Sequence, residues 1–480
     1  MGRRVEMGLL FYPRGGSAQV VRYLARALGR AGWDTSLACG SLGEPGERTH
    51  AESFFAGLDL SVADYRPAIR AFEEGRDPIA EPVPMHPSYE DRPDIPDRIF
   101  TAVSPELGEH VAEAWRPLLA AAARPDPELL HLHHLTPIHE AAARELPDLP
   151  VVTHLHGTEL KMIHRAERLA AGEQMEGTRP DLWVHAAHWL AEMRRWAQGS
   201  ARVIVISPDD AAEAQRLLGV QKSRITWVPN GVDLERFDRA DPAPEERKAR
   251  WREWLVGEPQ GWSEGGAPGS VAYADKDLDA FVDPTTGEPS PVLLFIGRFT
   301  EVKRIPLLVR AYARAARQFK RRAPLVIWGG FPGEWEGEHP HTVVQREGIE
   351  DVFFVGWRGH SELGAGLACA DVMVMPSIAE SFGQVFIEAM ACGVPVIAAN
   401  AAGPPSFINT EPGRLNGWLV EPDDIDSLAG AMVEAVNDPA AREERARNGY
   451  EVTRRDYSWE TLAERVAEVY EDALSKRRLA

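Results

Sequence analysis

Two separate series of short apolar runs, each alternating with helical periodicity, limit what this chain can fold into. In the first series, residues 5–11, 129–133, 151–156 and 203–206 read as strands, with a turn at Gly15-Gly16 and a helix over 18–30. In the second, residues 292–296, 325–328, 352–355, 372–375 and 394–398 read as strands, with a helix over 305–319. Runs this apolar are buried on both faces, and strands separated by helices pair in parallel through crossovers. The expected fold class is α/β, built as two Rossmann-like domains. A chain of 480 residues can bury two such cores.

The stretches outside the two series set the expected boundaries. Residues 1–235 form an N-terminal domain, 236–290 an insertion or linker, and 291–456 a C-terminal domain. Between about 40 and 105 the periodicity dissolves into a Pro-, Gly- and charge-rich stretch, expected to be an ordered insertion rather than a lid. Residues 239–290 hold Trp251, Trp254 and Trp262, and a featureless linker does not usually carry three tryptophans, so part of it should pack on a domain surface.

The formal net charge of −20 argues against a nucleic-acid or broadly anionic membrane partner, so any anionic ligand needs a local cationic cluster. Cys39, Cys369 and Cys392 are too few and scattered for a disulfide framework. The apolar run at 5–11 is too short for a secretion signal, and no run is long enough to cross a bilayer. A cytoplasmic location is expected. Oligomeric state is not legible.

Chemistry concentrates in residues 380–393. Gln384 to Ala391 is an almost wholly apolar helical run that nevertheless contains Glu388. A buried carboxylate must be protonated, paired or held for a ligand. Glu380 precedes the helix, Ser381 is a candidate N-cap, and Gly383 permits close approach to backbone amides, which favour an anion at a helix start. Amides for a diphosphate and carboxylates for ribose and sugar hydroxyls are what a nucleotide sugar requires.

Other strand ends carry candidates. Gly15-Gly16 follows the first strand, where open α/β sheets gather ligands, but lacks the dinucleotide-binding glycine spacing. Arg298 and Lys303 follow the first strand of the second series; a solvated loop and a diphosphate grip explain them equally. His154 and His156 share one face at a strand end, near His131, His133, His134 and His139. No Cys or characteristic ligand spacing accompanies them, so no metal site is expected. The 228–233 loop reads as a hinge. Residues 356–360 (Gly-Trp-Arg-Gly-His) and 374–377 end strands of the second series.

The segment with Glu380 and Glu388 resembles the Glu-x7-Glu motif of retaining, nucleotide-sugar-dependent glycosyltransferases of family 4, which have the GT-B fold: two Rossmann-like domains facing each other across a cleft. The resemblance covers most of 5–35 and 150–235 and nearly all of 291–470. It implies that the first domain serves the acceptor, completed by a closing helix over 457–480, and that the second holds the donor. Catalytic residues would be His156, Arg298, Lys303 and Glu380. Donor-binding residues would be Gly15, Gly16, Arg358, Phe382, Gly383, Gln384, Val385 and Glu388, with Arg358 in the base-pocket loop. The implied reaction is transfer from a nucleoside-diphosphate sugar to a small soluble acceptor in specialised metabolism, with no cofactor and no metal. Two alternatives stand beside it: a lipid acceptor at the membrane surface, met by Arg22, Arg26 and Arg30 or by Arg194-Arg195-Trp196, and a catalytically silent nucleotide-sugar-binding protein. One departure is Ala402-Gly403-Pro404-Pro405, which lacks the acidic residue the family commonly has there.

Overall fold

The computed structural model describes residues 3–90, 95–123, 126–175 and 179–477. The chain forms two compact units, one of Met1–Asn230 with Trp459–Ala480, the other of Gly231–Ser458.

The first unit is built on a parallel seven-stranded sheet: β1 (Arg3–Leu9), β2 (Trp33–Ser41), β3 (Asp59–Asp64), β4 (Leu129–His133), β5 (Val151–His154), β6 (Arg202–Val205) and β7 (Ile225–Trp227), in spatial order β3-β2-β1-β4-β5-β6-β7. Its two faces are covered by separate apolar layers. One joins Val5, Met7 and Leu9 to helix Gly15–Arg30 and helix Trp459–Arg477, where Trp459 stacks on Tyr23 at 5.9 Å and Tyr470 meets Trp33 edge-on at 4.8 Å. The other contains Ile79, Met85, Tyr89, Ile99 and Phe100, packed with Trp115 and Trp189. Much of the aperiodic stretch between 40 and 105 is therefore core, not a surface excursion.

Several polar side chains are buried in this sheet, and one of them is an acid. Glu6 on β1 is fully buried, and Ser36 on β2 donates its hydroxyl to the carboxyl. Burial is the largest influence and pushes its pKa up from 4.5 to about 8.

The second unit has a parallel six-stranded sheet: β8 (Leu293–Ile296), β9 (Leu325–Trp328), β10 (Val352–Gly356), β11 (Val372–Met375), β12 (Val396–Ala399) and β13 (Gly417–Val420), in order β10-β9-β8-β11-β12-β13. The 236–290 segment belongs to this unit and covers the exposed edge at β10. Gln260 bridges to Gly356, and the Phe354 N–H donates to the Tyr273 hydroxyl at 2.9 Å. An edge strand otherwise presents unpaired backbone groups, which explains why a polar segment is retained there. Its tryptophans anchor it: Trp254 meets Trp328 edge-on at 4.9 Å, Trp251 stacks on Phe281, and Trp262 stacks on Phe299 at 5.4 Å.

Candidate active site

In an open parallel sheet, ligands bind beyond the carboxyl ends of the strands where the strand order reverses. In the second unit that point lies between β8 and β11, which are neighbours although β9 and β10 intervene in sequence. The loop after β8 carries Arg298 and Lys303; the loop after β11 carries Glu380. Lys303 and Glu380 form an ion pair here, each side chain 17% exposed, and the Lys303 ammonium also lies 3.8 Å from Met375 Sδ at the end of β11. Arg298 is exposed at the end of β8. Topology thus brings together two of the expected catalytic groups from positions 77 residues apart.

Helix Gln384–Ala391 starts directly beyond this pair. Ser381 is not its cap: the N-cap is Gly383, in a left-handed conformation with φ 92° and no side-chain cap. A Cβ at Gly383 would lie 2.6 Å from the Phe386 ring, so both backbone angle and space demand glycine. First-turn amides of a helix have no intrahelical partner, and the N-terminus carries partial positive charge, so the backbone at Gly383, Gln384 and Val385 suits an anion. Phe382 is buried against Phe407 at 5.3 Å, leaving its main chain rather than its ring for a ligand. The Gln384 side chain donates to the Gly231 carbonyl, so that residue too can serve a ligand chiefly through its amide. We expect Gly383→Ala to lower thermal stability by at least about 1–2 kcal/mol and to abolish any stabilisation by nucleoside diphosphate, read by thermal melts with and without the nucleotide.

Glu388 lies in this helix at 5% exposure, and His360 Nε2 sits 3.3 Å from one of its oxygens. His360 opens the helix after β10 and packs edge-on against Phe237 at 5.4 Å. The sequence marked the 356–360 loop but not this pairing. Spacing alone gives no signal for a contact across 28 positions.

Arg358 is a correction. Its guanidinium donates to the carbonyls of Trp254, at 3.2 Å, and Glu258, both in the segment that covers the β10 edge. Its side chain fastens that segment by supplying donors to two carbonyls of an irregular turn. The loop without the acidic residue also has a structural task. The Gly403 N–H donates to the Glu380 carbonyl at 2.8 Å, and a Cβ on Gly403 would come within 2.7 Å of Phe382 Cα. The loop after β12 therefore buttresses the one that presents Glu380, with Ala402 held at φ 53°.

In the first unit, Gly15 and Gly16 are the first two residues of the helix rather than a turn before it. Both are exposed, with Gly15 at φ 72°. Arg14 precedes them, bonded to the Tyr12 hydroxyl at 2.7 Å and Asp97 at 3.2 Å. His156 follows β5, and its Nε2 lies 3.0 Å from His133 Nδ1. Its main-chain carbonyl and Nδ1 are what remain for a ligand. Burial, and then neighbouring imidazoles, push His156 and His133 well below the ordinary histidine value, and burial takes His154 to about 3, so all are neutral at pH 7.

Ring nitrogens of His131, His133 and His154 lie within 4.8 Å of one another in the core. Their rings are stacked, with interplanar angles of 22°, 7° and 26°. Imidazole lone pairs lie in the ring plane, so nearly parallel rings do not aim them at one point. The set is packed as an aromatic stack, not splayed as ligands.

Comparison with known proteins decides the family. Residues 14–236 match the model described as Glycosyltransferase Family 4, and residues 279–452 match that of glycosyl transferases group 1. The chain belongs to the group 1, family 4 glycosyltransferases. D-inositol 3-phosphate glycosyltransferase 2 from Catenulispora acidiphila is 32% identical over 283 residues, which span 58% of this chain and 57% of that relative's length. The sucrose-phosphate synthase structure from Thermosynechococcus elongatus superposes with a TM-score of 0.65 at 22% identity, over 99% of this chain and 100% of that one. The structure of Anabaena HepE with UDP and glucose superposes at 0.61 and 17% identity, over 97% and 99% respectively. Those two likenesses establish the fold: GT-B, with two parallel-sheet α/β domains.

The arginines that could have met a lipid surface are engaged elsewhere. Arg22 lies over the Phe54 ring at 4.9 Å, Arg26 donates to the Ala56 carbonyl at 3.0 Å, and Arg30 pairs with Glu460 at 2.5 Å. Arg194 pairs with Glu167 at 2.6 Å, and Arg195 with Glu140 and Glu192. Among the described residues no helix is long and apolar enough to cross a membrane.

Proposed function

We propose that this protein is a retaining glycosyltransferase, cytoplasmic, that moves a hexose-type sugar from a nucleoside-diphosphate sugar to a small soluble acceptor of specialised metabolism. The observation that carries the reading is the meeting of Lys303 and Glu380 at the sheet's switch point, beside a glycine-started helix that buries Glu388. The second unit holds the donor and the first serves the acceptor. Glu388 binds ribose hydroxyls, the amides of residues 382–385 and the side chains of Arg298 and Lys303 hold the diphosphate, and Glu380 takes the sugar's 3- and 4-hydroxyls. Lys303 and Glu380 exchange part of their mutual pairing for these donor contacts.

The reaction is a front-face displacement. The bond between the anomeric carbon and the diphosphate oxygen breaks, the acceptor bonds to the same face, and the acceptor proton passes to the departing diphosphate. Fixed cations and helix amides stabilise charge as it builds on the leaving group, so a divalent metal is not required there. The His156 carbonyl and imidazole orient the sugar.

Co-sedimentation with anionic vesicles tests the lipid-acceptor alternative, and binding there would favour it. A thermal-shift screen of nucleoside diphosphates, starting with UDP, tests the donor assignment. A ligand at 100 times its Kd adds about 2.7 kcal/mol to stability. We expect a clear upward shift for wild type and its near-loss in Glu388→Ala; equal shifts in both would remove Glu388 from the site. Tight nucleotide-sugar binding without turnover on a broad acceptor panel would favour the silent binder.

A further inference from the structure

We propose that Glu159 is a positioning residue for His156, clamping the ends of β4 and β5 together through His134. The inference rests on the active-site role proposed for His156. Glu159 is wholly buried, and it is the second residue of helix Thr158–Ala170, which starts after left-handed Gly157 at φ 85°. One carboxylate oxygen accepts the main-chain N–H of His156 at 3.0 Å. The other lies 3.3 Å from His134 Nδ1 and 3.2 Å from the Thr158 hydroxyl.

His134 is as constrained as the acid. It holds φ 65°, a conformation uncommon outside glycine, directly after β4. Its N–H donates to the His154 carbonyl at 2.9 Å, and its ring lies 4.4 Å from the ring of His156, with Phe11 and Tyr89 at 5.0 and 5.5 Å. A single carboxylate thus ties together the backbone of one strand end and the imidazole of the next. The turn it fixes is the one from which the His156 carbonyl projects.

The electrostatics agree with the contacts. Burial opposes charge on Glu159, but His134 and the backbone donors outweigh it and hold its pKa below the ordinary value. A helix N-terminus adds to this. An ionised carboxylate only accepts, so the contact requires a proton on His134 Nδ1. None of these residues lies in the donor grip of the second unit, so loss of the clamp should leave nucleotide binding alone. Helix capping by itself would explain burial of an acid here, but not its reach to the imidazole of a different strand end.

Glu159→Gln is the discriminating variant. The amide oxygen can still accept from His156, but its NH2 cannot accept from His134 Nδ1–H, and the ring can answer it only by moving its proton to Nε2, which is buried and has no hydrogen-bond partner among the described residues. In the full-length protein we expect kcat to fall about 30- to 100-fold, with the donor KM and nucleoside diphosphate Kd within about twofold. Full transfer activity in the single variant would overturn the proposal. Imidazole 15N spectra decide the clamp independently of turnover, including where Glu159→Gln does not fold: wild-type His134 should carry a proton on Nδ1, and an unprotonated Nδ1 would refute the contact. A wild type inactive on every donor would instead count against the glycosyl-transfer reading, with the spectra still deciding the clamp.

Discussion

Lys303→Ala is expected to slow sugar transfer by about 10³-fold while changing nucleoside diphosphate affinity by no more than about tenfold. Removing one preorganised group aimed at developing charge typically costs 10²–10³ in rate, or roughly 3–4 kcal/mol of transition-state stabilisation. Lys303 should reach the upper end because its loss has a second consequence. Glu380 is paired with it in a site where each side chain is only 17% exposed, so the variant leaves a half-buried carboxylate unpaired where the sugar must sit. Ground-state binding of the diphosphate is shared with Arg298 and the helix amides, so affinity falls less than rate. Single-turnover transfer, alongside titration calorimetry with nucleoside diphosphate, separates the two effects. A transfer rate within tenfold of wild type would remove Lys303 from the leaving-group site.

Glu6→Gln is expected to stabilise the protein, by an amount that grows with pH. The carboxyl of Glu6 has its pKa raised from 4.5 to about 8 by burial, so the folded state prefers the neutral acid. A raised folded-state pKa means that this group's contribution is fully present below pH 4.5 and is lost as pH rises through 8. Glutamine keeps an oxygen to accept the Ser36 hydroxyl but never ionises. The variant should match wild type near pH 4.5 and exceed it by about 3 kcal/mol at pH 7, raising the first unit's melting temperature by roughly 6–12 °C. Melts of both proteins from pH 4.5 to 9 check it. A pH-independent difference would show that folding does not shift the Glu6 pKa.

The two-sheet architecture was legible because parallel strands buried on both faces are written as near-continuous apolar runs. The strand expected at 129–133 coincides with β4, and those at 325–328 and 372–375 with β9 and β11. Among the strands that escaped notice are β2 and β3. Trp33–Ser41 is rich in small and polar residues, and Asp59–Asp64 is a partly exposed edge strand with an acid at either end. Their burial comes from tertiary packing, which overrides weak local propensity. In the site, Glu380, Gly383 and Glu388 could be read locally because they share one short segment. The partners of those residues could not: His360 against Glu388, Gly403 beneath Glu380, and Trp254 and Glu258 holding Arg358 are long-range contacts set by strand order. Arg358 shows the cost of reading a basic residue after a strand as a ligand contact without knowing which carbonyls surround it. Glu159 shows the reverse, since an acid in the first turn of a helix looks like routine capping until the chain folds His134 against it.

The most direct measurement is a crystal structure of the full-length protein soaked with the nucleoside-diphosphate sugar that gives the largest thermal shift. The diphosphate should lie within hydrogen-bond reach of the Gly383–Val385 amides and the Lys303 ammonium, with ribose on Glu388 and the sugar on Glu380. A donor bound elsewhere, with the Lys303–Glu380 pair unchanged and the helix start blocked by side chains, would contradict the account.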